Sequence, residues 1–268
     1  LIYGWLGLPE LGIFGAAIST VISRAIELIW SAAVASRNDR PRLRLRMMLH
    51  PDVMLQRDFW HYSLPVLGNE LVWGCGFTMY TVIMGHLGAD AVAANSIANI
   101  VKDLLVCLSL GLGNAGGILV GNLLGRNAFE EARIMGDRLC RLVALVGVGT
   151  GLLIVAVRPL ALRWAGLTPQ ATHYLSVMLL ICAYYAACGC LTNLTIAGIF
   201  PAGGDAKFGL VCDAIVMWAI VVPIGLLSAF VIKLPAVYAL LNTDECIKMI
   251  PALIHYRKYR WINNVTRQ

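Results

Sequence analysis

Glu70, Lys102 and Asp103 carry charge inside two long apolar stretches. Glu70 falls within VLGNELVWGCGFTMYTVIMG, and the other two fall within AVAANSIANIVKDLLVCLSLGLG. A charge at the centre of a bilayer costs at least ~2.5–3.5 kcal/mol on insertion scales, so such residues pair with one another or face a water-filled route. At a rise of ~1.5 Å per residue, Glu70 and Lys102 each lie about 16 Å from the nearer end of their segments. On adjacent antiparallel helices both reach the midplane, and an ion pair between them is geometrically possible. Two chemistries are open at that depth. A desolvated carboxylate takes up and releases protons, and an anionic one attracts organic cations. A static pair that holds two helices together is the other reading.

Two stripes surround these charges. Asn95, Asn99, Lys102 and Asp103 follow helical spacing, and so do Glu70, Trp73, Phe77 and Tyr80. Amides in a membrane helix serve as interhelical hydrogen-bond partners or line a cavity. Aromatic rings beside an acid suit an amphipathic cation, or simply pack. Asn69, next to Glu70, completes the candidate set. Three further groups have local explanations. Arg24 and Glu27, at i,i+3, form a helix-surface pair, and Asp244 and Lys248 pair at i,i+4 with Glu245 beside them. Asp213 follows a turn closely and is expected near the membrane interface, satisfied by water or a basic neighbour.

Other chemistries find little support. No GxxxxGK[ST] occurs, and GLGNAGG at 111–117 reads as close helix packing rather than a phosphate loop. The five histidines show no HExxH or paired spacing, and the eight cysteines form no pair of CxxC motifs. No metal site, catalytic residue or cofactor is expected. Most of the cysteines read as small buried apolar side chains.

The elements that must position these residues are membrane helices. The chain has 268 residues, 59% of them hydrophobic and 13% charged, with mean hydropathy +0.75. A soluble domain of this size carries more charge. Segments long enough to cross a ~30 Å hydrocarbon core fall at roughly 11–36, 59–87, 91–122, 138–158, 170–199, 206–230 and 233–256. Turn signals separate them at Gly88-Ala89-Asp90, Gly125-Arg126-Asn127, Gly166 to Pro169 and Pro201 to Asp205. One set of loops holds fifteen Lys and Arg residues and the alternate set only Arg158, Arg163 and Lys233. The positive-inside rule places the first set, and the C-terminus, in the cytoplasm. The long linker RNDRPRLRLRMMLHPDVMLQRD at 37–58 either lies along the inner interface or is a solvated topology signal. The chain begins at Leu1 without a signal-peptide pattern and reads as part of something longer.

Four stretches resemble the second half of a multidrug and toxin extrusion (MATE) transporter. LPELGIFGAAISTVISRAIE at 8–27 looks like the last helix of the family's N-terminal lobe. LPVLGNELVWGCG at 64–76, followed by LGADAVAANSIANI at 87–100, looks like the opening of the second lobe. VGNLLGRNAFEEAR at 120–133 and AGGDAKFGLVCDAIVMWAIVVPIG at 202–225 match later motifs in order and spacing. The resemblance implies an all-α polytopic fold of twelve helices in two lobes. About seven of those transmembrane helices lie in this chain. Residues 1–36 would hold the last helix of a truncated N-terminal lobe, 37–58 the basic interlobe linker, and 59–268 a six-helix C-terminal lobe with a basic tail.

The resemblance further implies export of small organic molecules in exchange for protons or sodium. The sodium-driven branch places acids in its seventh and tenth helices. Glu70 lies in the seventh, about one turn nearer the cytoplasm, whereas 170–199 contains no Asp or Glu. The coupling ion therefore stays open between proton and sodium. The expected substrate is a small organic cation, bound by Glu70, Lys102, Asp103, Asn69, Trp73, Phe77, Tyr80, Asn95 and Asn99. The expected partner is the lipid bilayer of the inner membrane. Nucleic acid is not expected, and the full-length protein is expected to be a monomer. Two alternatives remain, a lipid-linked oligosaccharide flippase of related two-lobe fold and a seven-helix receptor or sensor.

Overall fold

Every regular element among the described residues is helical, as apolar runs of this length require in lipid, where each backbone N–H and C=O must be satisfied within its own segment. The computed structural model describes residues 12–36, 53–231 and 234–265. The helices are α1 (Gly12–Ser36), α2 (Val53–His86), α3 (Ala89–Gly125) and α4 (Phe129–Trp164). They continue with α5 (Pro169–Ala202), α6 (Ala206–Val231), α7 (Leu234–Leu241) and α8 (Asp244–Arg257). Contacts divide the chain into two units, Leu1–Gln56 and Arg57–Gln268.

All seven expected segments are present, with altered ends. α4 starts nine residues before its expected position, because Phe129 to Asp137 continues the helix with charged residues, including Glu130 and Glu131 in its first turn. Acids there complement the positive end of the helix dipole. Apolarity marks the stretch that fits in lipid, not where the helix stops. α2 likewise begins at Val53, inside the expected linker. The RLRLRMML part of that linker lies outside the described residues. Four expected turns each carry a residue with positive φ: Gly88 (105°), Asn127 (59°), Gly166 (58°) and Gly204 (79°). Asn is the non-glycine residue that most readily tolerates this conformation.

Among the described residues, five helical segments are long and apolar enough to cross a membrane: Ala17–Val34, α3, α4, α5 and α6. α2 is long enough, but Asn69, Glu70 and other polar residues dilute its hydropathy. The last expected segment is broken. Asn242 Nδ2 donates to the Tyr238 carbonyl (2.9 Å) and Thr243 Oγ1 to that of Ala239 (2.8 Å). Side chains that satisfy the final carbonyls of α7 favour its ending there. The interruption makes Asp244 and Glu245 the first turn of α8.

Within Arg57–Gln268, α3, α4 and α5 form the core, with Ala94, Ala98, Val143, Ile154, Leu175, Leu179 and Leu194 fully buried. Close approach replaces the hydrophobic effect as the source of helix association in lipid. A Cβ on Gly198 of α5 would fall 2.7 Å from the carbonyl oxygen of Gly113 in α3, so only glycine fits there. α2 lies along α6, where Gly76 accommodates Met217 and Trp218 Nε1 donates to the Val72 carbonyl (3.1 Å).

α5 and α6 each contain a π-helical stretch, Asn193–Ile199 and Ala214–Val221. Such wide turns concentrate at functional sites. The chain beyond α8 folds back onto the start of α4. Trp261 is fully buried and stacks on Tyr256, whose hydroxyl donates to Asp137 (2.9 Å).

Candidate functional site

Helices α2, α3, α5, α6 and α8 enclose a cavity of about 280 Å³. Asn69, Glu70 and Trp73 line it from α2, Val106 and Leu110 from α3, and Tyr185, Thr192 and Asn193 from α5. Asp213 of α6 and Glu245 and Lys248 of α8 complete the wall. The two π-helical stretches begin immediately after Thr192 and Asp213, so both wide turns start at the cavity wall.

A buried charge cluster forms one side. Lys248 Nζ lies 2.7 Å from Glu245 Oε1, 3.1 Å from Asp213 Oδ1 and 3.4 Å from Asp244 Oδ2. The spacing in α8 explains part of this, since Asp244 and Glu245 are four and three residues before Lys248 and share its face. Their position in the first turn of α8 also favours negative charge. Asp213 arrives from another helix. Thr192 Oγ1 donates a short hydrogen bond to Glu245 Oε2. Asp213 Oδ1 takes no hydrogen bond, so its approach to Lys248 is a charge contact without donor alignment. All four charged residues are buried, with exposures of 2–7%. Three carboxylates around one ammonium leave an excess of negative charge, which in a low-dielectric site must be neutralised by a proton or a bound cation.

The expected site residues divide between two places. Asn69, Glu70 and Trp73 line the large cavity. Phe77, Tyr80, Asn95, Asn99 and Lys102 gather instead around a pocket of about 30 Å³, with Tyr238 and Asn242. The stacked rings of Trp73 and Phe77, 5.7 Å apart, stand between the two groups in sequence. The Glu70–Lys102 pair does not form. Lys102 is buried beneath the rings of Tyr185 (5.3 Å) and Phe77 (5.6 Å), and its ion-pair partner is Asp103 at 3.9 Å. Asp103 points outward with a side chain 71% exposed and lines neither pocket. Glu70 is exposed on this chain and makes no ion pair among the described residues.

Two local readings hold in part. Arg24 and Glu27 pair at 2.7 Å on an exposed face. Asp244 and Lys248 do meet, but as members of the larger cluster. Asp213 is 3% exposed, and the basic neighbour expected for it is Lys248. Sequence reasoning missed Asp213, Glu245, Lys248 and Thr192 as a unit. The available signal was the four ionisable residues Asp213, Asp244, Glu245 and Lys248 within segments expected to cross the membrane, which in a membrane protein is itself a functional indication.

An all-helical bundle with apolar segments long enough to cross a membrane, packed around a cavity into which charged side chains reach, is the architecture of an integral membrane protein. The MatE family profile matches residues 65–227. This chain belongs to the MatE family. It is 24% identical over 98% of its length to "Uncharacterized transporter YisQ" of Bacillus subtilis, covering 58% of that protein. It is 30% identical over 88% of its length to "Probable multidrug resistance protein NorM" of Bradyrhizobium diazoefficiens, covering 52%. The fold matches the Vibrio cholerae MATE transporter VcmN in its bent form with a TM-score of 0.75 at 18% identity, over 99% of this chain and 60% of that one. The chain thus spans somewhat over half the length of these relatives.

Proposed function

We propose that this chain is the second half of a cation-coupled antiporter that exports small organic cations. The observation that carries the reading is the cavity beside α2, where Glu70 and the buried acids face Trp73 and Tyr185. Negative charge next to aromatic faces binds flat lipophilic cations by Coulomb attraction and cation–π contact, with little discrimination of shape. A relative that carries the name "Probable multidrug resistance protein NorM" supports export of drugs. In this reading 1–36 is the last helix of the first lobe, 37–58 the linker and 59–268 the second lobe. The basic loops and C-terminus face the cytoplasm of a cell whose inner membrane holds the protein.

Glu70 is assigned the role of exchanging the coupling ion, proton or sodium, against substrate. Asn69 and Trp73 line the substrate path beside it. Lys102, Asn95, Asn99, Phe77 and Tyr80 form the neighbouring small pocket, and Asp103 tunes Lys102. The test is dye efflux from cells expressing the full-length gene, using cationic and anionic dyes of similar size. Cationic dyes are expected to be exported, and Glu70→Gln is expected to abolish ion-coupled efflux while leaving expression intact. Preference for anionic dyes would reject the assignment and favour a flippase-like anionic substrate. Unchanged coupling in Glu70→Gln would remove that residue from the mechanism.

A further inference from the structure

We propose that the ammonium of Lys248 is the resident cation of the buried cluster, and that the exchangeable charge there is a proton at Asp213 rather than a sodium ion. The proposal rests on the exporter reading above and specifies its coupling ion.

The geometry points to it in two ways. A lysine ammonium has three N–H donors, and here three carboxylates from two helices surround it at 2.7, 3.1 and 3.4 Å. Sodium would need these same oxygens. Releasing them would leave the ammonium, on a residue only 2% exposed, buried without compensation. The tethered cation therefore excludes the free one.

The carboxylates are not equivalent. Glu245 has both Lys248 and the Thr192 hydroxyl as partners. Asp244 sits in the first turn of α8. Asp213 Oδ1 is fully buried and meets Lys248 only as a charge contact at 3.1 Å without an aligned donor, and its residue, with a side chain 5% exposed, lines the cavity. Protonation of the Asp213 carboxylate forms one O–H bond, the proton coming from a hydronium ion of the solvent, whose own O–H bond breaks to leave water. It leaves Lys248 paired with Asp244 and Glu245 and cuts the excess from two negative charges to one.

Other ionisable groups around the cluster are Glu70 on α2, which lines the same cavity, the phenols Tyr80 on α2 and Tyr185 on α5, which act electrostatically on Asp244 and Glu245, and the thiols of Cys188 and Cys190 on α5, which act on Glu245. Cys212 adjoins Asp213 on α6. Lys102 on α3 is engaged by the rings of Phe77 and Tyr185. An organic cation entering the cavity competes with the proton for the same negative charge. Binding of either then weakens the other by the same factor.

The test uses purified full-length protein, with radioactive sodium binding and proton release on addition of a cationic dye as separate readouts. Lys248→Ala is expected to raise sodium affinity at the cluster by at least about tenfold. Glu70 is expected to exchange one proton and Asp213 a second, so Asp213→Asn is expected to lower the number of protons released per dye bound relative to the wild type, while Glu70→Gln leaves the Asp213 share in place. If Lys248→Ala does not fold, the double variant Lys248→Gln with Asp244→Asn, which removes the ammonium and one opposing charge together, carries the same expectation. Saturable sodium binding to the wild type that Asp213→Asn removes would overturn the proposal. So would a folded Lys248 variant with no gain in sodium binding. Absence of any dye binding would instead refute the exporter reading, and the sodium measurement would still decide the role of Lys248.

Discussion

Lys248 and Lys102 are both buried lysines, yet their surroundings make opposite demands. Lys248 balances three buried carboxylates, whereas the ion-pair partner of Lys102 has an exposed side chain. Removing one member of a buried charge group leaves the others uncompensated, at a cost of about 3–5 kcal/mol. Lys248→Met is therefore expected to lower the melting temperature of the purified full-length protein sharply. Lys102→Met keeps the apolar stem against Phe77 and Tyr185 and strands no buried acid, so it is expected to change stability by less than about 2 kcal/mol, the upper range of a desolvated cation–π contact. Equal melting temperatures for the two variants would contradict this distinction. The Asp244–Lys248 relation was legible because i,i+4 spacing is local. Asp213 was not, since its approach to Lys248 depends on how α6 packs against α8.

At the scale of elements, periodicity located the helices but not their internal irregularities. α6 is apolar almost all round, so no amphipathic pattern distinguishes its π-helical stretch Ala214–Val221 from ordinary α-helix. The break between α7 and α8 was similarly masked, because Asn242 and Thr243 are uncharged and include neither the glycine nor the proline that marks the other turns. Turns were more readable: glycine or asparagine marks four reversals with positive φ, at 88, 127, 166 and 204, and Tyr259 beyond α8 is the exception that no turn residue announced. The contact between α3 and α5 supplies an element-scale prediction. Gly198→Val places its Cβ against the backbone of Gly113, which no side-chain rotation relieves. Overpacking of this kind costs about 1–3 kcal/mol. The expected result is reduced thermal stability and weaker expression, measured by fluorescence-detected size exclusion. Wild-type behaviour would mean that α3 and α5 separate easily.

At the scale of the whole molecule, the alternation of basic loops made the helix count legible, while the docking of residues beyond α8 left no such trace. A tail rich in Arg and Lys reads as solvated, yet Trp261 within it is fully buried. Trp261→Ala is expected to destabilise the protein by about 3–5 kcal/mol. Thermal unfolding checks this, and a shift below about 1 kcal/mol, small against the cost of losing a large buried side chain, would show the contact to be incidental. The docked tryptophan also sets an order in time. Its indole N–H donates to the Tyr256 carbonyl (3.1 Å), and its backbone oxygen closes over Gly203. It is synthesised after every helix it touches. During translation, the ends of α4, α5 and α8 therefore wait unsealed until residue 261 has cleared the ribosome and its tunnel. Nascent chains arrested inside α8 would expose those ends to proteases and quality-control factors, and a few more residues would conceal them.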